Sequence, residues 1–333
     1  MNKRAVRWVL WIVFLSGILA GAAVLSLYVG AVNISFKKMF SSVIRGGTGV
    51  EGTIFFHIRL PRVLLAVICG GGLSVAGVVF QALFRNPLVE PYTLGVSGGA
   101  ALAVALCIIP GWYLILPAAG FIGALISILL VYLVSIKYKR WDMNVVLLTG
   151  VMFSFVTSSC IMLVMALSRT EQLHGIIFWI MGSLAESGWK IITVVWVITM
   201  IAVLITYFFS YSLNAISLGE EEALHLGVNV ELVKKILFLL ASLITGCLVA
   251  VTGIIGFIGL VVPHIVRMVV GRDHRILLPA AFLGGGIFLL ISDTIARVVI
   301  APRELPVGVV TGIIGGIVFI YFLAHQPLGQ GGK

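Results

Sequence analysis

Between Leu64 and Phe80 the chain carries no charge, while Arg59 and Arg62 stand just before that stretch and Arg85 just after it. A helix of this length crosses the hydrocarbon core of a bilayer, so the two sets of cations face opposite aqueous sides. Of 333 residues, 61% are hydrophobic and 10% charged, against about 25% charged in an ordinary soluble domain. A soluble fold is excluded. The expected fold class is all-α: a polytopic membrane protein with about ten transmembrane helices in one bundle, forming a single domain over 1–333.

The excess of 22 Lys and Arg over 12 Asp and Glu would point to nucleic acid in a soluble protein. Here the cations flank apolar spans and read as topology signals, so no nucleic acid partner is expected. Apolar runs and their punctuation predict spans near 7–29, 60–80, 92–109, 114–136, 144–167, 190–209, 234–253, 258–270, 276–297 and 307–324. An even count puts both termini on one side. Lys3, Arg4 and Arg7 assign that side to the cytoplasm, and the apolar stretch that follows them is too long for a typical cleaved signal. This topology places 13 of the 22 cations inside. The bias has the correct sign but is modest, so Arg59, Arg62, Arg297 and Arg303 on the outer side call for a second role, and docking of an acidic partner is the natural one.

Cys69, Cys107, Cys160 and Cys247 lie singly in apolar spans and read as small core residues rather than a disulfide framework. The six histidines show no i, i+4 pairing and no carboxylate triad, so no metal site is expected. Glycine clusters at 70–72, 95–99, 284–286 and 312–316 fit close helix packing in lipid. In the run Thr252-Gly-Ile-Ile-Gly256-Phe-Ile-Gly259-Leu-Val-Val-Pro263-His264, repeated glycine ending in proline predicts a broken helix or re-entrant turn. Such backbone is tolerated only where protein or a water cavity satisfies it.

The longest inner connection is 213–230. Glu220, Glu221 and Glu222 open a short helix there at the favourable end of its dipole, and Gly227 closes it. A helix this short is marginal alone, so it rests against the bundle or is clasped by another protein; a solvated acidic loop is the alternative reading. Near the outer end of span nine, Asp293 and Arg297 are four residues apart and share a helix face as a structural ion pair.

Several motifs together resemble the FecCD-type permeases, the membrane-spanning subunits of type II ABC importers for iron-siderophore complexes, haem and cobalamin. They are Arg59-x-Pro61-Arg62, Gln81 through Pro91 with Leu94-Gly95-x-x-x-Gly99, Phe178-Trp179-x-x-Gly182 and Leu218-Gly219-Glu220-x-x-Ala223-x-x-Leu226-Gly227. Gly256-Phe-Ile-Gly259-Leu-Val-Val-Pro263-His264-x-x-Arg267, Asp293-x-x-x-Arg297 and Glu304-Leu-Pro306-x-Gly308 complete the set. The resemblance implies that residues 219–228 form a coupling helix, with Glu220, Ala223, Leu226 and Gly227 contacting an ATP-binding subunit. It also implies that Arg59, Arg62 and Arg297 meet glutamates of an extracytoplasmic substrate-binding protein. Asn86, Leu88, Met143 and Asn144 would form a cytoplasmic gate with their mates in a second permease subunit, identical or similar.

No G-x-x-x-x-G-K-[ST] phosphate loop occurs, so this chain is expected to bind no cofactor and ATP to be used by two partner subunits. The expected location is a bacterial or archaeal cell membrane, and the expected cargo an iron-siderophore complex, with haem or cobalamin as alternatives. An ion-coupled secondary transporter is the rival class, yet Asp293 is the sole carboxylate well within a span. A membrane enzyme would need paired acids, a metal cluster or an activated nucleophile, and the sequence presents none.

Overall fold

The computed structural model describes residues 3–30, 49–137, 142–185 and 188–325. The cations Lys139, Arg140 and Lys333, assigned above to the inner side, lie outside these residues. Among the described residues every regular element is helical. Helix α1 is Lys3–Tyr28, and α2 runs Val50–Leu83 through one π-helical turn at Phe55–Arg59. After a 3-10 turn at Pro91–Leu94 come α3 (Val96–Ile108), α4 (Leu116–Ser135), α5 (Met143–Leu167), α6 (Thr170–Ile180) and α7 (Trp189–Phe208). Two short helices follow, α8 (Ser210–Leu218) and α9 (Glu220–His225). The described residues end with α10 (Val230–Thr252), α11 (Ile258–Val270), α12 (His274–Val298) and α13 (Val307–His325).

The predicted count of ten crossing helices is not confirmed. Seven helices among the described residues are long and apolar enough to cross a membrane, whereas Val96–Ile108, Ile258–Val270 and the apolar part of α13, Val307–Phe322, are shorter. For α3 the physical reason is local. Pro91 starts a 3-10 turn, Gly95 in the left-handed region (φ 79°) resets the chain direction, and only 13 helical residues remain. At 1.5 Å per residue they reach about 20 Å, short of a ~30 Å hydrocarbon core.

Helix α2 is the axis of the bundle. Almost all of Leu60–Leu83 is buried, against α12, α10, α11 and α7. The glycines make this possible: a Cβ on Gly70 would run into the backbone of Gly285 on α12 and the reverse, and a Cβ on Gly77 would run into the backbone of Gly259 on α11. In lipid, such backbone-to-backbone contact supplies the packing that the hydrophobic effect supplies in water. Gly285→Val should therefore force α12 off α2 at a cost of roughly 1–3 kcal/mol or more, since the obstructing atoms are backbone. A clearly lowered unfolding temperature in detergent is the expected result, and an unchanged one would show that the two helices are not in register here.

Helices α2 and α12 run antiparallel, which defines two ends. Arg4 of α1 pairs with Asp273, the residue capping α12, at 3.1 Å, so α1 begins at the end where α2 finishes and where α8 and α9 lie. This is the hook end. The far end carries the start of α2 and the finish of α12.

Candidate functional site

At the hook end, α9 forms as its residues dictate. Its first turn holds Glu220, Glu221 and Glu222, where carboxylates favour the helix dipole. Its last turn closes in a Schellman arrangement: Gly227, at φ 80°, donates to the Leu224 carbonyl (2.9 Å) and Val228 to the Ala223 carbonyl (3.0 Å). The hook is fastened to the bundle in two ways. The ammonium of Lys234 on α10, 3% exposed, pairs with Glu220, and Ala223 is fully buried. Burial removes Ala223 from the set of residues that a partner could touch. The outward face instead offers Glu221, Leu224 and Leu226, the two leucines 59% and 66% exposed.

From Lys234, α10 runs about 27 Å to Thr252, where the backbone leaves the helix. The break spans Gly253–Phe257, and Pro263, which the sequence reading made the end of the irregular run, sits inside α11. Three backbone groups at the break find protein partners. Ser183 N–H donates to Thr252 O (2.8 Å), Ile255 N–H to the Tyr92 hydroxyl (3.1 Å) and Phe257 N–H to Glu90 Oε2 (3.3 Å). Pro263 has no N–H for the Gly259 carbonyl four residues earlier. Gln81 of α2 replaces it, with Nε2 donating to Gly259 O at 3.2 Å. Sequence reasoning missed Glu90 and Tyr92; the only local signal was their position just after Asn86-Pro87.

The far end holds a cavity of about 750 Å³. Tyr113, Phe178, Trp179 and Leu184 give it an apolar and aromatic wall, the last turn of α10 (Ala250, Val251, Thr252) forms one side, and Arg62 with Glu304 forms a polar edge. Behind that edge lies an ion cluster. Asp293 on α12, 1% exposed, accepts from Arg62 Nε (2.9 Å) and Nη2 (2.8 Å), while Arg62 Nη1 donates to Glu304 Oε2 at 2.7 Å. Arg297 Nε lies 3.0 Å from Asp293 Oδ2, yet its N–H is not directed along a hydrogen bond, so this contact is an ion pair by proximity alone. Arg297 and Arg59 both reach the end of α1: Arg297 Nη2 donates to Ser26 Oγ (2.6 Å) and Arg59 Nη1 to the Leu27 and Tyr28 carbonyls (2.7 Å each).

Arg59, Arg62 and Arg297, expected on sequence to face a docking partner, are thus brought together but buried, at 5–6% exposure. Low-dielectric surroundings make their mutual repulsion costly unless carboxylates and carbonyls offset it, which explains why every guanidinium is engaged. Arg303, by contrast, is exposed at this end, and Glu304 is the open member of the cluster, its side chain 38% exposed.

Of the expected gate residues, Asn86 turns the chain after α2 by accepting from Leu88 N–H (2.9 Å), leaving Leu88 exposed. Asn144 is exposed at the start of α5, capped by Asp142. Met143 is buried in the core, which withdraws its side chain from any contact with a second copy.

A lipid-embedded helical bundle with an anchored hook at one end, a cavity at the other and helix α10 running from one to the other has the build of a transport conduit. The FecCD transport family matches residues 18–325, and the chain belongs to that family. It is 39% identical over 319 residues to the hemin transport system permease protein of Yersinia pestis, covering 94% of this chain and 95% of that protein. It is 37% identical over 335 residues to the vitamin B12 import system permease protein of Salmonella typhi, covering 97% and 96%. A solved inward-facing conformation of a transporter described as metal-chelate-type ABC superposes with a TM-score of 0.86 at 34% identity, over 94% of this chain and 98% of the other. The chain is an ABC importer permease of the FecCD family, with a transport role.

Proposed function

We propose that this permease pairs with a second permease subunit to enclose a pathway for a bulky metal chelate, an iron-siderophore complex first and haem or cobalamin in the same importer type. The observation that carries this reading is the course of α10. The helix is fixed to the hook by Lys234 and Glu220 and supplies the cavity wall at Ala250–Thr252. Two ATP-binding subunits closing on α9 at the cytoplasmic side would move α10 as a rigid body and, through the Gly253–Phe257 break, reshape the cavity. The aromatic lining supports a cargo with large apolar surface, and relatives named for hemin and vitamin B12 lie within that class.

An extracytoplasmic binding protein would dock at the far end. It would meet Arg303 and Glu304 first, and reach Arg62 by exchanging Glu304 for an acid of the docking lobe. Arg59 and Arg297 would then hold the end of α1 in register. Asn86, Leu88 and Asn144 would narrow the cytoplasmic mouth against the second subunit.

Cargo identity is tested by uptake into liposomes holding the assembled importer with its binding protein. Iron-labelled siderophores, haem and cobalamin are compared at equal concentration. Accumulation of one chelate at least tenfold above the others is expected, and accumulation of a small oxyanion in preference to all three would overturn the chelate reading.

A further inference from the structure

A second, smaller cavity lies at the hook end, about 280 Å³, where α2, α8, α11 and the start of α12 meet. Its chemistry is unlike that of the first. Arg85, Arg267 and Arg272 line it together with Gln81, Ser217 and His274, and among the described residues no carboxylate does. Three fixed cations converging on one pocket repel one another, so their arrangement calls for an anion to offset them.

The pocket is built rather than incidental. Arg267 is held by Gln81, which is 4% exposed and whose Oε1 accepts from Arg267 Nη2 at 2.9 Å. Arg85 occupies the left-handed region at φ 48°, a conformation that is strained for a non-glycine residue and is retained where the surroundings enforce it. Asp273, the acid between the lining residues Arg272 and His274, is already committed. Its hydrogen bonds from Arg275 hold it well below the usual carboxylate range, and Asn214 and Arg4 also donate to it.

We propose that this pocket binds an anionic phosphate group, seated among the guanidinium groups of Arg85, Arg267 and Arg272. Guanidinium forks match phosphate oxygens bidentately, which an ammonium does not. The volume is below that of pockets for drug-sized ligands, as suits one phosphate with its water and not a chelate cargo. Two sources carry this group: an anionic phospholipid headgroup, for which basic pockets between helices on the cytoplasmic side are a recurring seat, and free phosphate. Either would clasp the hook-side ends of α2, α11 and α12 together beside α8.

Thermal unfolding of the full-length protein in neutral detergent tests this. Short-chain phosphatidylglycerol is compared with phosphatidylcholine of equal chain length, and sodium phosphate with chloride at matched ionic strength. Phosphatidylglycerol should raise the unfolding temperature by several degrees and phosphatidylcholine should not. The same rise with phosphate alone would assign the site to the free anion, whereas a rise with phosphatidylglycerol alone would assign it to the headgroup.

Arg85→Gln and Arg272→Gln, singly and together, should reduce apparent affinity at least tenfold. Both side chains are exposed, so folding is not at stake, and Arg169→Gln at the far end should leave the response intact. No rise with either anion, an equal rise with phosphatidylcholine, or a response that survives the double substitution would overturn the proposal.

Discussion

Asp293→Ala is expected to destabilise the bundle by about 3–5 kcal/mol, the cost of breaking a buried ion pair by removing one partner. The carboxylate is 1% exposed and lies between Arg62 of α2 and Arg297 of its own helix. Its loss leaves two guanidinium groups close together in a low-dielectric site, with Glu304 the remaining carboxylate among their described partners. Asp293→Asn keeps an acceptor for Arg62 but loses the charge, so its effect should be intermediate. Because Arg297 also grips Ser26, the damage should spread to α1. Unfolding temperature in detergent and the monodisperse fraction on size exclusion read this directly. A wild-type profile for Asp293→Ala would mean that the cluster is not formed as described.

The second large effect is functional rather than structural. Leu224 and Leu226 stand 59% and 66% exposed on a hook that opens with three carboxylates, and fully burying a leucine contributes about 1.5–3 kcal/mol. At 1.4 kcal/mol per tenfold, Leu224→Glu with Leu226→Glu should weaken association with the ATP-binding subunits by tenfold or more. ATP-driven uptake should fall accordingly. Both positions face outward, so the unfolding temperature of the permease should be unchanged. Co-purification at wild-type yield would place the contact elsewhere.

The hook was legible because its signals are local: three glutamates, then a glycine seven residues after Glu220. Its orientation was not, since only packing against α8 and α10 turns Ala223 inward and Leu224 outward. The same division recurs at the far end. Asp293 and Arg297 share a helix face by spacing alone, but the closer hydrogen-bonded partner of Asp293 is Arg62, 231 residues away in the chain, and no periodicity reports such a contact. Gln81 answering the carbonyl that Pro263 leaves unpaired is likewise a tertiary event, as is Glu90 meeting Phe257. The unconfirmed part of the expected span count has a different origin. Hydropathy counts apolar residues, whereas Gly95 and the 3-10 turn before it decide how many of those around 92–109 stay helical.

The most direct test of the account is cargo uptake into liposomes containing the permease and its binding protein, with and without the ATP-binding subunits, under an imposed ion gradient or with ATP. The account predicts accumulation only when those subunits and ATP are both present, with no response to the gradient. Gradient-driven accumulation by the permease without its ATPase would contradict it.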